Sequence, residues 1–209
     1  MSARLTASLV LSLFACACAA DDTLGGDNET EIISRVVLRF TPMDGGPALS
    51  FEFNDPDGDG GVSGAADAVT LPSEQGFALD VEFVNTLADP PEDLTEEIRA
   101  EAEDHLVFVL GDGVDGPAAS SSTLLLTHAY ADLESDYGEN AIGDDLPVGL
   151  RNTIDTNLPG TGTLRIVLRH LPELNGSAQK QAELPEALAA GETLPGDVDV
   201  DVTFDLAVE

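Results

Sequence analysis

The chain has 209 residues, with 40 Asp and Glu against 8 Lys and Arg and a formal charge of −32. That balance excludes nucleic acid as a partner and disfavours docking on anionic lipid headgroups, since both would be repelled. One domain with a real hydrophobic core is the default at this length.

The N-terminus reads as an export signal. Arg4 is its one positive charge, and Leu5 to Ala15 is an apolar stretch without acid. That run is too short to span a bilayer and fits a signal h-region over residues 1–15. Leu13-Phe14-Ala15-Cys16 resembles a lipobox. The resemblance implies cleavage before Cys16 and its modification by diacylglycerol, so that the membrane is a partner through a lipid anchor. Ordinary cleavage near Ala20 is the other reading of the same stretch. Residues 17–30 are polar and aperiodic and read, with the lipid-bearing Cys16, as a flexible tether over 16–30, about 14 residues beyond the anchor and roughly 20 Å as a coil. Cys18 is the only other cysteine, so the folded region has no internal disulfide and no thiolate chemistry.

From residue 31 onward period-two runs dominate. Ile32, Ser34, Val36, Leu38 and Phe40 share a face. Leu49, Phe51 and Phe53 alternate with polar residues, and so do Phe77, Leu79, Val81 and Phe83. Leu106 to Leu110 is a short apolar run without alternation. Leu124, Leu126, His128 and Tyr130 share a parity, as do Leu164, Ile166, Leu168 and His170. The last run sets Val198, Val200, Val202, Phe204, Leu206 and Val208 against Asp197, Asp199, Asp201, Thr203 and Asp205. One segment breaks the pattern. Asp93-Leu94-Thr95-Glu96 looks like a capping box, and Leu94, Ile98 and Ala102 recur at helical spacing, which predicts a helix over 93–103. A second helical turn is expected at Pro185 to Ala190, stopped by Gly191. About eight strands with one short helix predict an all-β domain over 31–209, a two-sheet antiparallel β-sandwich of Ig-like or jelly-roll-like kind. A barrel is the alternative.

Arg35, Arg39, Arg165 and Arg169 are each spaced by four on outward strand faces. The last strand offers Asp199, Asp201 and Asp205, and pairing across the ladder is expected if it lies beside both arginine strands.

The most chemical stretch is Asn54-Asp55-Pro56-Asp57-Gly58-Asp59-Gly60-Gly61. Calcium takes six to eight oxygens, and Asn54, Asp55, Asp57 and Asp59 could wrap one. Ala66 stands at the twelfth position, where an EF-hand needs a bidentate Glu, so an EF-hand is excluded. The plain alternative is a tight acidic turn. Asp112 and Asp115 form a weaker second candidate. His105, His128 and His170 have no zinc-signature spacing and read as partly buried histidines. No Gly-x-Ser-x-Gly elbow and no phosphate-binding glycine loop is present, so no catalytic residue is named.

Several phrases together resemble a family of bacterial lipoproteins that carries the label "type 1 periplasmic binding fold superfamily protein". They are the lipobox, Val36 to Pro42, Phe53 to Gly61, Asp93 to Ile98 with Glu103-Asp104-His105, Gly162 to His170, and Asp199 to Leu206. The resemblance covers most of residues 5–209 and implies a lipoprotein, with no catalytic residues to carry over. A type 1 periplasmic binding protein has two α/β lobes, whereas the length and the period-two patterning here read as all-β. The expectation is a lipid-anchored protein of the cell envelope, placed at the outer membrane. It acts as a non-catalytic binding or structural module with a calcium-stabilised loop, its protein or small-molecule ligand not given by the sequence. The alternatives are an envelope hydrolase and a periplasmic solute-binding protein.

Overall fold

The structure is a computed structural model that describes residues 32–58, 64–141 and 143–209. Among the described residues the strands are β1 (Arg35–Pro42), β2 (Leu49–Asn54), β3 (Ala65–Ala66), β4 (Val69–Leu71), β5 (Gly76–Asn85), β6 (Glu92–Asp93), β7 (His105–Leu110), β8 (Val114–Asp115), β9 (Leu126–Tyr130), β10 (Arg151–Thr156), β11 (Gly160–His170) and β12 (Asp197–Val208). The helices are α1 (Thr95–Ala100) and α2 (Leu184–Ala189). The fold is mostly β, in two sheets. The first sheet is curled and runs β3-β2-β1-β5-β10-β9-β8, with β6 added to β5. The second runs β4-β12-β11-β7.

Alternation explains the central strands. Val36, Leu38 and Phe40 of β1 and Phe77, Leu79, Val81 and Phe83 of β5 are buried, as are Leu164, Ile166 and Leu168 of β11. Together with Phe204, Leu206 and Val208 of β12 they form one core drawn from both sheets. Fully burying each such side chain contributes about 1.5–3 kcal/mol. Leu94, Ile98 and Ala102 join the same core, so α1 and the turn after it are held by the helical stripe expected of them.

The run in β7 lacks alternation because both of its faces are covered. Val107 and Val109 face the shared core, while Leu106 and Phe108 meet a second cluster with Val167, Leu171, Leu184 and Leu194 beneath α2.

Several expectations need correction. The first of the two short helices among the described residues is shorter than 93–103, while the second, α2, lies where a helical turn is expected. Asp93 is drawn into pairing with Val84 of β5, and the Asp93 carboxylate accepts the Thr95 amide at 3.0 Å. Thr95 Oγ1 in turn accepts the Phe83 amide at 2.9 Å, so the helix starts only at Thr95 and gives way to a 3₁₀ turn at Ala102–Asp104. Pairing is antiparallel except at two edges, where β4 lies parallel to β12 and β8 parallel to β9. Val198 was expected inward and is 47% exposed. The register between β11 and β12 shifts there: Leu168 faces Val200 and Arg169 faces Val198, which leaves Asp199 as the extra residue of a β-bulge and inverts the parity beyond it.

The arginine expectation holds for one strand pair. β11 lies beside β12, and Arg165 Nε donates to Asp201 at 2.6 Å in a half-exposed ion pair. Arg169 instead donates to the carbonyls of Leu194, Pro195 and Gly196. β1 is in the other sheet, where Arg35 and Arg39 meet Glu52 and Glu82 at 3.6 and 3.7 Å. Exposed pairs of this kind are worth about 0.2–1 kcal/mol each, so they set register more than stability.

Candidate functional site

The chain between β9 and β10, residues 131–150, would cost conformational entropy to order unless it were tied down. Two buried acids tie it. Asp132 accepts the Gly149 amide at 2.8 Å on one oxygen, and the Arg151 amide at 2.9 Å and the Tyr137 hydroxyl at 2.8 Å on the other. This closes the base of the excursion on itself. Burial pushes the Tyr137 phenol up to about 12, with the Asp132 hydrogen bond and charge adding to it. Arg151 caps the loop from outside, 2.7 Å from Asp136 and 5.6 Å above the Tyr137 ring. Gly149 allows the close approach: its φ is +82°, and a Cβ there would lie 2.5 Å from the Val107 carbonyl oxygen.

The second acid is Glu134, which forms a 2.8 Å ion pair with Lys180, both side chains essentially inaccessible to solvent. Lys180 is the only lysine of the chain. Its ammonium also donates to the Ala102 carbonyl at 2.7 Å, and Asn140 donates to the other Glu134 oxygen at 3.0 Å. Burial pushes the Lys180 ammonium below the usual lysine range, opposed chiefly by the bond to Glu134. The pair therefore joins the 131–150 excursion to the segment leading into α2.

Between those two walls lies a pocket of about 430 Å³. Leu106, Leu146, Pro147, Ala182 and Pro185 give it an apolar lining, and Lys180, Gln181 and Glu186 add polar groups. Tyr130 also lines it, and its hydroxyl is buried without a hydrogen-bond partner. Burial, and then the charge of Asp132, push that phenol above its ordinary range, so it stays a neutral donor. Size and lining fall in the range of small-molecule sites. None of the residues named for the lining is Ser, Thr, Cys or His.

The three histidines separate into two places. His105 and His170 are direct cross-strand partners on β7 and β11, with rings stacked 4.7 Å apart at 6°. His128 is elsewhere, on β9. Its Nε2 is 2.8 Å from Asn152 Oδ1, whose amide nitrogen donates to the Gly149 carbonyl. That arrangement makes Nε2 the donor and leaves Nδ1 as the acceptor, which is buried without a partner. Burial holds His128 below the ordinary histidine range, against the Asn152 bond and the charge of Asp132. An unfolded histidine titrates near 6.5, so the unfolded chain binds the extra proton first as the pH falls. The stability due to a neutral His128 is complete above that value and is lost below it. Chemical denaturation at pH 7.5 and pH 5 should show this loss, and His128→Gln should show less of it.

The acid-rich loop is only partly described. Asn54 ends β2, and its Oδ1 accepts a 2.7 Å bond from Arg35 Nε. Asp55 is buried, and its amide donates to the Ser34 carbonyl. Asp57 is exposed, and Asp59 lies outside the described residues. Asp112 sits in the turn after β7, its amide bonded to Thr163 Oγ1 at 2.9 Å, and Asp115 lies in β8. Cys16, the signal over 1–15 and the tether over 16–30 also lie outside the described residues. No helix among the described residues is long and apolar enough to cross a membrane.

The Lys180–Glu134 pair and the pocket were not foreseen. The available signal was a solitary lysine in a chain whose other cations are all arginine. No family model, no curated protein and no solved structure matches the chain.

Proposed function

We propose that the chain is a lipid-anchored envelope module, a β-sandwich that binds a small, mainly apolar ligand between the 131–150 excursion and α2 and does no chemistry on it. The observation that carries this reading is the pocket whose two walls are tied by the buried Lys180–Glu134 pair. A site held by a desolvated ion pair is preorganised, so little ordering entropy is lost on binding. Tyr130 adds its ring to the apolar lining of the pocket, its hydroxyl being buried. The charge of −32 repels anions, and Lys180 is already neutralised by Glu134, which favours an uncharged or cationic ligand. A hydrolase would want a nucleophile and a base converging in the cleft, and the lining residues named above include no such pair.

The test uses a Cys16→Ser form, which carries no lipid, and the neutral fluorophore N-phenyl-1-naphthylamine. The expected result is a saturable gain in fluorescence that Ala182→Trp abolishes at an unchanged melting temperature. Absence of a gain, or a gain that Ala182→Trp leaves intact, contradicts the reading. The anchor itself rests on the lipobox. Cys16→Ser should move the protein from the membrane to the soluble fraction of a bacterial host, and continued membrane retention counts against it. Calcium at Asn54, Asp55, Asp57 and Asp59 is proposed as a loop brace. Millimolar calcium should raise the melting temperature of chelator-treated protein, and no shift removes the brace.

A further inference from the structure

We infer that Glu101, His105 and His170 form a binding site for a borderline divalent transition-metal ion such as zinc, at the end of the second sheet. A carboxylate oxygen of Glu101 and one ring nitrogen of each histidine all lie within 4.8 Å of one another. Among the described residues this is the one group of three or more His, Cys, Asp or Glu side chains that converges in this way.

The fold explains the convergence. Register places His105 of β7 opposite His170 of β11, and the 3₁₀ turn that leads from α1 into β7 brings Glu101 over the pair. His105 shares its parity with Val107 and Val109 of the shared core, whereas Leu106, which lines the pocket, points to the other face of β7. The site is therefore on the opposite face of the strand from the pocket and does not depend on the reading given above.

The donor set selects the ion. Two imidazoles and one carboxylate suit zinc, cobalt, nickel or copper, and do not suit calcium, which takes oxygen alone. His105 Nδ1 lies 3.1 Å from the Glu101 carbonyl oxygen, so it carries the proton and donates it there, which makes Nε2 the lone-pair nitrogen. A backbone carbonyl orienting a ligand histidine is a recurring support in metal sites. A tetrahedral ion with bonds of about 2.0–2.2 Å needs its donors roughly 3.3–3.6 Å apart, so they must close by up to about 1.5 Å, and the His170 ring must turn out of its stack on His105 to aim its in-plane lone pair at the ion. The Glu101 side chain is exposed and His170 is only half-buried, so both have room to make that movement. Asp199 places a further carboxylate near His170, outside the converging group. It is the extra residue of the β12 bulge, one of its oxygens is buried without a hydrogen-bond partner, and it interacts electrostatically with His170. Three protein ligands leave a coordination position for water or a second carboxylate.

The probe is the metal alone. Chelator-stripped Cys16→Ser protein should take up one equivalent of zinc by calorimetry. With cobalt(II) it should develop visible ligand-field absorption. Glu101→Gln, a substitution at an exposed side chain, and His170→Gln should each weaken zinc by at least about tenfold at an unchanged far-ultraviolet spectrum. Calcium should not displace the cobalt. No uptake of zinc, or uptake at many weak sites that both variants leave unchanged, would overturn the site and point to the acidic surface instead.

Discussion

Lys180→Met should lower the free energy of unfolding by about 3–5 kcal/mol, because it leaves Glu134 as an uncompensated charge in the interior. Lys180 and Glu134 are both about as buried as the core leucines, and the remaining partner of Glu134 in the variant is the amide of Asn140. For a chain of this size the loss corresponds to a fall in melting temperature on the order of 10 °C. The double variant Lys180→Met, Glu134→Leu should recover much of that loss, since a hydrophobic replacement of both partners removes the charge that was left behind. The double variant also tests the role of the pair. If the pair only stabilises, the recovered protein still binds the fluorophore with wild-type affinity. If it fixes the distance between the pocket walls, stability returns and affinity does not, and the second outcome is the one expected here. A loss under about 1 kcal/mol in the single variant would mean that the pair is open to water.

Asp132→Ala should cost an amount of the same order, about 3–5 kcal/mol. Each hydrogen bond to a charged acceptor is worth roughly 1.5–3 kcal/mol and three donors lose their partner at once, but the loss is less than their sum because the partly exposed Tyr137 can bond to water instead. Asp132→Asn keeps the shape but turns an N–H₂ toward at least one of those donors, so it should recover only a minor part. The loss should be local first. Hydrogen exchange at the Gly149 and Arg151 amides should quicken more than exchange in β1 or β5, because the base of the 131–150 excursion opens while the shared core stays closed. Uniform quickening across all strands would show that Asp132 supports the whole fold instead of the excursion.

How much of this was legible in the sequence depended on which faces were apolar. β1, β5 and β12 could be read directly, since every second residue of 36–40, 77–83 and 200–208 is large and buried and most of the residues between are polar. β10 was not read as a strand. Its inward positions are Asn152, Ile154 and Thr156, and the two polar ones are satisfied by His128, by the Gly149 carbonyl and by the Pro72 and Gln75 carbonyls. Hydropathy alternation cannot show an inner face whose buried groups are hydrogen-bonded ones. The bulge at Asp199 was also invisible, because the alternation of Val198 with its neighbours continues in the sequence while the register shifts in the sheet. The helix at 93–103 was placed correctly and drawn too long, since Asp93 and Thr95 serve the edge of β5 first.

The sites were less legible than the fold. Glu134 and Lys180, and likewise His105 and His170, are far apart in the chain and meet only through strand register and loop closure. Composition, by contrast, directed attention to the Asp55–Asp59 loop, where acids are adjacent in sequence, although the oxygen of Asn54 is engaged by Arg35. Nearness along the chain is a poor guide to convergence in a β protein, whose contacts are mainly non-local.

The central claim is that the pocket between the 131–150 excursion and α2 is a ligand site. Chemical-shift mapping on isotopically labelled Cys16→Ser protein titrated with N-phenyl-1-naphthylamine tests it most directly. The account predicts saturating shifts confined to Leu106, Tyr130, Leu146, Ala182 and their neighbours. Shifts spread over the acidic strand faces, or confined to the opposite face of β7, would contradict it.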